Sequence, residues 1–312
     1  MSVILFVALG LGLLCGILML VIFWWMDRHE LPSGFFALIP ILWAALSLPM
    51  ASSAFHISSR ASGVPGVLYW TLLEVLLLIP GLLLVFGATR FFQGPVDGWL
   101  LGSLGGLGVA SAEIFARISV TKEVFASLHP LPGPGLLLFF SLEVCVAALL
   151  GAGLGWSRVS GRRSVAILCF PAAVLAAIGL KAGSLLLLQN SALELFAALV
   201  LLLLICWLGL FCVLLRFESR LVAEELREEV EFRVLPEWCL EIFPFRLRRL
   251  RSDWGAQLGE RRVLNRMAVY LAFRKHALRR AGGGTNLEGL EIVRLREGLK
   301  TRLDAVEYPG RA

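Results

Sequence analysis

Five ionisable residues lie within or at the edge of apolar stretches of this sequence, where a charge is unfavourable unless it has a role. They are Glu74, Asp97, Glu113, Glu143 and Lys181. At the centre of a bilayer such a group costs about 2.5–3.5 kcal/mol or more, and it usually faces the interior of a helix bundle at a functional site. Carboxylates can activate water, and a lysine can supply positive charge. These residues are therefore the candidates for chemistry.

The elements that position them are apolar helices. The chain has 312 residues, of which 58% are hydrophobic and 17% charged, whereas soluble domains average roughly 45–50% and 25%. A transmembrane helix needs about 20 mostly apolar residues, and seven runs qualify or nearly qualify: 2–25, 34–54, 64–88, 96–117, 134–157, 164–189 and 193–216. The first run, 2–25, lacks the basic start and the cleavage site of a signal peptide, so we expect it to stay in the mature protein as a helix.

The predicted fold is all-α, with two parts. Residues 1–216 form a transmembrane bundle of about seven helices, and residues 217–312 form a charged helical tail that holds 19 of the 29 Lys and Arg residues. Within the tail, 218–232, 261–280 and 287–303 have helical apolar spacing, and Gly282 to Gly284 separate the last two. The segment 242–251 combines aromatic and basic residues, which fits either anionic lipid or a solvated face.

The charges between the runs predict an orientation. With the amino terminus outside, the inner loops hold five arginines and the basic tail follows, while the outer loops hold only Arg60, Arg117 and Lys122. We therefore expect a multi-pass protein of the cell (inner) membrane with a cytoplasmic tail. Acidic and basic residues alternate in the tail and no nucleic-acid motif occurs, so nucleic acid is not an expected partner. The six cysteines include no CxxC pair and are expected to be small buried hydrophobes.

Depth along the predicted helices separates the ionisable residues into two groups. At about 1.5 Å per residue, Glu74, Glu143 and Lys181 lie roughly 15, 13 and 12 Å below the outer surface, and Glu113 roughly 6 Å below it. Asp97 lies at the inner end, about 24 Å from Glu113 along one helix. Three glutamates and one lysine thus converge on the outer half of the bilayer. They form either a polar functional site or a structural Glu–Lys pair with a protonated acid.

The stretch from Asp97 to Glu113 carries a family resemblance. PVDGWLLGSLGGLGVASAE (95–113) resembles the core signature of PrsW-type intramembrane proteases, including its spacing of 16 between Asp and Glu, and Gly98 and Gly108 fall on small-residue positions of the motif. WWMDRHELPSGFF (24–36) resembles the first-loop signature of the family. LLGAGLGWSR (149–158) resembles the ending of a later helix.

The resemblance implies an intramembrane endopeptidase of a bacterial membrane that cuts a membrane-anchored substrate. Glu74 and Glu113 would orient or activate water, Glu143 would be an auxiliary acid and Lys181 a source of positive charge. The family uses glutamates and histidines, by one reading with a metal. Where the family has one of its paired glutamates, this chain has Leu73, and where the family has a histidine, it has Glu143. No histidine lies within the last five apolar runs. We therefore expect a divergent member with an impaired site, and the sequence leaves its metal unknown.

Three functions stay open at this point. The first is an endopeptidase acting on a single-pass membrane protein. The second is a non-catalytic homologue that binds transmembrane segments or cytoplasmic partners through the tail. The third is a proton or small-solute pathway through Glu74, Glu143 and Lys181, for which the absence of inverted repeats is unfavourable. The lipid bilayer is the one partner that all three share, and the sequence does not define an oligomeric state.

Overall fold

The structure is a computed structural model. It describes residues 39–40, 42–43, 47, 64–88, 94–120, 133–160, 163–190, 192–244, 258–280 and 286–304. Within these ranges the side chains of 88, 112–120, 133–137, 163–166, 189, 258–262 and 286–288 lie outside the description. The first apolar run, nearly all of the second and most of the segment 242–251 also lie outside it, so the predictions for them are not addressed.

Every regular element among the described residues is a helix. The helices are α1 (Val64–Ala88), α2 (Pro95–Val120), α3 (Gly133–Val159), α4 (Arg163–Gln189), α5 (Leu193–Glu231), α6 (Cys239–Ile242), α7 (Leu258–Arg280) and α8 (Asn286–Asp304). The predicted all-α class is therefore confirmed for the described part of the chain. The predicted helices of the tail correspond to the end of α5, to α7 and to α8.

Four of these helices are long and apolar enough to cross a membrane: Val64–Gly87, Leu138–Val159, Ile167–Leu188 and Leu193–Glu231. The expected number of about seven is not confirmed. The run 96–117 corresponds to α2, an unbroken helix of 26 residues. We call α1 to α4 together with residues 193–215 of α5 the apolar bundle.

Helices α2 and α3 approach so closely that a side chain would not fit between them. A Cβ atom on Gly102 would lie 2.2 Å from the carbonyl oxygen of Ala147, and one on Gly106 would lie 2.5 Å from that of Glu143. From the other side, a Cβ on Gly151 would lie 1.9 Å from the carbonyl oxygen of Gly98. Glycines spaced by four residues lie on one face of a helix. Such a face lets two helix backbones come into contact, which favours helix association in lipid, where the hydrophobic effect does not drive it. This contact makes α3 the central helix of the bundle.

Helix α5 connects the apolar bundle to the charged end of the chain. Its 39 residues extend about 58 Å, roughly twice the 30 Å hydrocarbon thickness of a bilayer. Inside the bundle, Trp99 of α2 stacks on Trp207 and Phe211 of α5 with ring centroids 4.4 Å apart in both pairs. The charged second half of α5 therefore extends beyond the apolar segment.

A second core lies around that charged half. Leu221, Val222 and Leu226 of α5 pack with Leu264 and Ala268 of α7 in this core, which also includes residues of α6 and α8. We call residues 216–231 of α5 together with α6, α7 and α8 the polar module. The module also packs against Val159, at the end of α3. The two cores thus share α5 as a continuous support.

The described cysteines are free thiols. Cys145 and Cys239 are buried, as expected, but Cys206 and Cys212 are exposed on α5. The expectation of burial is wrong for these two, because they lie on the face of α5 that the bundle leaves uncovered, where lipid can cover an apolar thiol. Burial raises the pKa of the Cys239 thiol and so disfavours the thiolate, which is the nucleophilic form.

Candidate functional site

The buried face of α1 carries a glutamate among apolar residues. Thr71, Val75, Leu78 and Leu82 are buried on this face together with Glu74. The opposite face exposes large apolar side chains, which are Leu68, Leu72, Leu76, Leu83 and Leu84. Because residues three and four apart share one side of a helix, this pattern directs Glu74 into the bundle.

Helices α3 and α4 bring the other two charged groups to the same place. Nearly all of the apolar segment of α3 is buried, and Glu143 lies on it one helical turn after Phe139. Helix α4 exposes Ile167, Leu168 and Leu175, but buries Ala177, Lys181 and Ser184. Lys181 therefore lies on the covered side of a helix whose other side faces outward.

Lys181 binds both carboxylates. Its Nζ atom lies 2.5 Å from Oε2 of Glu74 and 2.7 Å from Oε1 of Glu143, and it donates a hydrogen bond of 2.8 Å to Oε2 of Glu143. The exposed fractions are 1% for Lys181, 6% for Glu74 and 3% for Glu143. We call these three residues the buried triad. It joins α1, α3 and α4 through one ammonium group.

Two hydroxyl groups lie one helical turn from triad residues on the same helices. Thr71 is fully buried one turn before Glu74, and its hydroxyl has no hydrogen-bond partner among the described residues. Ser184, one turn after Lys181, donates its hydroxyl to the carbonyl of Leu180 at 2.7 Å. The ring of Phe139 lies 5.8 Å from the ammonium of Lys181, within the range of a cation–π contact.

The predicted proximity of Glu74, Glu143 and Lys181 matches these contacts, but two other predicted residues lie elsewhere. Asp97 is in the first turn of α2, where a negative charge favours a helix amino terminus. Because α2 is continuous, Asp97 and Glu113 lie near its opposite ends and cannot share one site. The side chain of Glu113 lies outside the described residues, so its relation to the triad is not addressed. Gly98 contacts α3, and Gly108 is buried.

The triad does not fit a metal ion. Its centre is occupied by the ammonium of Lys181, which already neutralises one of the two carboxylates. Two carboxylates with no imidazole or thiolate are also a weak ligand set for zinc, which favours Cys and His. In the described part of the chain, no group of three or more His, Cys, Asp or Glu residues could hold a metal.

What the triad can do chemically is set by the lysine. A general base must present a carboxylate to the water whose proton it removes. Both carboxylates are instead in contact with an ammonium and almost shielded from solvent. The arrangement favours fixing three helices to one another over activating water.

Sequence reasoning missed a second set of buried charges, in the polar module. We call it the charge cluster. It consists of Glu225, Glu228 and Glu229 on α5, Lys275, His276 and Arg279 on α7, and Arg296 on α8. The sequence spacing could have indicated this cluster. The three acids, spaced by three and four residues, share one face of α5, and the basic residues of α7 also share one face of their helix.

Glu229 is the centre of this cluster and is fully buried. Arg296 donates to both of its oxygens, with Nε 2.7 Å from Oε2 and a terminal nitrogen 2.6 Å from Oε1. Lys275 donates to Oε1 at 2.5 Å and to the backbone carbonyl of Glu225 at 2.8 Å. Burial opposes ionisation of Glu229, but the hydrogen bonds and charges of Arg296 and Lys275 outweigh it and hold the pKa of the Glu229 carboxyl below its usual value.

The rest of the cluster lies nearer the surface. Arg279 contacts Oε1 of Glu228 at 2.6 Å and Oε2 of Glu225 at 3.2 Å. Nδ1 of His276 lies 3.2 Å from Oε1 of Glu225. The ion pair with Lys275 lowers the pKa of the Glu228 carboxyl. Together these contacts fasten α7 and α8 to the end of α5.

Comparisons with protein-family models, with characterised proteins and with solved structures gave no match for the chain.

Proposed function

We propose that this chain is a non-catalytic, multi-pass membrane protein of PrsW-like type that binds partners through its polar module. The observation that carries the proposal is the contact of Lys181 with both Glu74 and Glu143. A protease built on these carboxylates needs one of them free to accept a proton from water. An ammonium held by both of them removes that function and leaves a structural one.

The topology belongs to the same proposal. Seven membrane spans with an outer amino terminus would place the polar module in the cytoplasm, beneath the inner membrane of a bacterial cell. The length of α5 supports this arrangement, since a helix of about 58 Å continues well beyond one side of the bilayer. The module would then be rigidly joined to the bundle.

The binding surface in this proposal includes α8. This helix exposes Leu290 and Val293, which lie three residues apart on one face, and 54% and 45% of their surfaces are accessible. The module is otherwise rich in charge, so exposed apolar side chains there offer contacts that a protein partner can bury.

The experiment uses the full-length chain in its native membrane. Proximity labelling from the carboxyl terminus is compared between wild type, Leu290→Ser/Val293→Ser and the control Glu297→Ser, an exposed change on the same helix. We expect the double variant alone to lose specific neighbours. A labelling pattern unchanged in all three chains would contradict the role of this surface.

The same cells test the enzymatic alternative. Candidate single-pass membrane substrates are co-expressed with wild type, with Glu113→Gln and with Glu74→Gln. We expect equal amounts of intact substrate in all three. Cleavage by wild type that Glu113→Gln abolishes would overturn the proposal in favour of an intramembrane endopeptidase.

A further inference from the structure

The outward face of α5 changes from apolar to basic at one position along the helix. Before the change, the face exposes large apolar side chains, which are Leu195, Leu202, Ile205 and Val213. After it, the same face exposes Arg216, Arg220 and Arg227. At about 100° per residue, all of these side chains lie within an arc of about 80°, with the buried Glu225 and Glu229 on the opposite side. We call Arg216 and Arg220 the arginine pair.

Side chains at the end of α3 mark the level of this change. The ring centroid of Trp156 lies 4.6 Å from that of Phe217, the residue after Arg216. Arg158 follows within one turn and donates to the carbonyl of Phe86, near the end of α1, at 3.3 Å. Tryptophan is enriched where hydrocarbon meets the headgroups, and arginine near a helix end extends its charge toward them. Since α5 is long and apolar enough to cross a membrane, Arg216 lies where this helix leaves the hydrocarbon.

The arginine pair fits the depth of one headgroup layer. The hydrocarbon of a bilayer is about 30 Å thick and the whole bilayer about 40–45 Å, so each headgroup layer measures about 5–7 Å. Arg216 and Arg220 are separated by about 6 Å along the helix axis. The next exposed charge, Glu224, lies about 12 Å beyond Arg216, and Arg227 lies about 16 Å beyond it. The two charges nearest the membrane on this side of α5 are therefore both positive.

We propose that the arginine pair binds the phosphate groups of anionic phospholipids in the leaflet where α5 leaves the membrane. A guanidinium group presents a planar fork of donors, which forms parallel hydrogen bonds with two phosphate oxygens. The acyl chains of the same lipids then cover the apolar part of the face, next to Val213. The assignment requires that α5 crosses the membrane. It does not depend on whether the chain cleaves substrates, or on which leaflet is cytoplasmic.

A second copy of the chain fits this face less well than lipid does. Two copies inserted in the same direction form a symmetric pair, in which equivalent residues lie opposite one another. Gly209 has no atom within 4 Å of its Cβ position, and a helix could come close to it there. Because α5 is continuous, however, Arg216, Arg220 and Arg227 would then face the same three arginines. Like charges across an interface are unfavourable, so charge complementarity favours the anionic lipid.

The test is native mass spectrometry of the full-length protein, titrated with phosphatidylglycerol or with phosphatidylcholine. Both lipids carry a phosphate, but only phosphatidylglycerol has a net negative charge. We expect Arg216→Gln/Arg220→Gln to weaken the tightest binding of phosphatidylglycerol about fivefold or more, since each arginine near an anionic headgroup contributes a factor of about five. Binding of phosphatidylcholine should change less than twofold. Arg227→Gln/Arg294→Gln is the matched control, because it removes the same charge from exposed positions further along the chain.

Three results would overturn the proposal. The first is equal affinity of the wild type and the arginine-pair variant for phosphatidylglycerol. The second is an equal loss in the control, because net charge rather than position would then determine binding. The third comes from oxidation of membranes with copper phenanthroline, which joins exposed cysteines that lie close together. A disulfide-linked dimer that Cys212→Ser abolishes would show that a second copy covers this face. We expect no such dimer.

Discussion

The buried triad and the charge cluster both hold carboxylates away from water, and they do so with different charge balance. The triad has two acids and one lysine. The cluster has three acids on α5 opposed by Lys275, Arg279 and Arg296, and His276 lies at its edge. The cluster can therefore be neutral with every carboxylate ionised, whereas in the triad both carboxylates share the one ammonium of Lys181. The cluster also has contact with solvent through Arg279 and Glu228, which the triad lacks.

This difference has a physical cause in the surroundings. Water near the polar module screens surplus charge and lets long side chains reach partners from several helices. In the apolar bundle, each ion has only its direct contacts to offset the loss of water. Variants that remove charge should consequently have larger effects in the triad than in the cluster.

The largest effect is expected from Lys181→Met, which removes the ammonium that two buried carboxylates contact. Breaking a buried ion pair in this way costs about 3–5 kcal/mol of unfolding free energy. Thermal unfolding in nanodiscs measures it, with Lys300→Met as the exposed control on α8. The triple variant Lys181→Met/Glu74→Gln/Glu143→Gln should recover much of the loss. A triple variant no more stable than Lys181→Met would show that charge imbalance is not the cause.

Gly106→Ala should disturb the triad without changing any charge. The added methyl group would lie 2.5 Å from the carbonyl oxygen of Glu143, so α2 must move away from α3. Overpacking of this kind costs about 1–3 kcal/mol. Gly183→Ala is the matched control, because nothing lies within 4 Å of its Cβ position on α4. Equal melting temperatures for the two variants would contradict the close contact of α2 and α3.

Glu229→Gln should destabilise the polar module by about 1–2 kcal/mol, because Arg296 and Lys275 lose their shared carboxylate. The loss is smaller than for Lys181→Met, since Arg296 is 35% exposed and can turn toward water. Hydrogen exchange of α7 and α8 measures it, and Glu231→Gln, an exposed change on the same helix, is the control. Exchange that increases in α1, α3 and α4 rather than in α7 and α8 would refute the separation of the two regions.

The smallest effect is expected from acid. In the folded protein the pKa of Glu229 lies below its ordinary value of 4.5. The ionised form therefore adds stability above about pH 4.5, and this stability is lost as the pH falls through the lowered pKa. The difference in unfolding free energy between wild type and Glu229→Gln should therefore shrink below about pH 4.5. Melting curves of both proteins at several pH values measure it. A difference that grows toward acid pH would reverse the assigned sign.

Several parts of the fold could be predicted from the sequence because they depend on local properties. Apolar runs of the required length and capped by charge predicted α1, α3, α4 and the first half of α5 to within a few residues. Counting residues along those runs placed Glu74, Glu143 and Lys181 at similar depths, since the rise of a helix is fixed. The number of seven spans remains a prediction, because four described helices are long and apolar enough to cross a membrane and the first two runs lie largely outside the described residues. The role of Glu113 also remains a prediction, because its side chain lies outside the description.

Other parts could not be predicted from residue types. The glycines of α2 suggested close packing or distortion, but only the observed contact with Ala147 and Glu143 selects packing against α3. The ion pairs within the tail could not be predicted, because alternation of charge along the chain does not reveal which helix lies opposite. Cys206 and Cys212 were expected to be buried, since an apolar run does not by itself show which of its faces is left uncovered.

The sequence by itself determined that this chain is helical, apolar for most of its length and charged at its end, because hydropathy and helical periodicity are read residue by residue. It also determined that two glutamates and one lysine lie at comparable depth. Only the tertiary structure decided that one ammonium contacts both carboxylates, and that Arg296 and Lys275 meet on Glu229. The reason is that the partner of a buried charge is set by how helices rotate and cross, which depends on contacts between residues far apart in the chain.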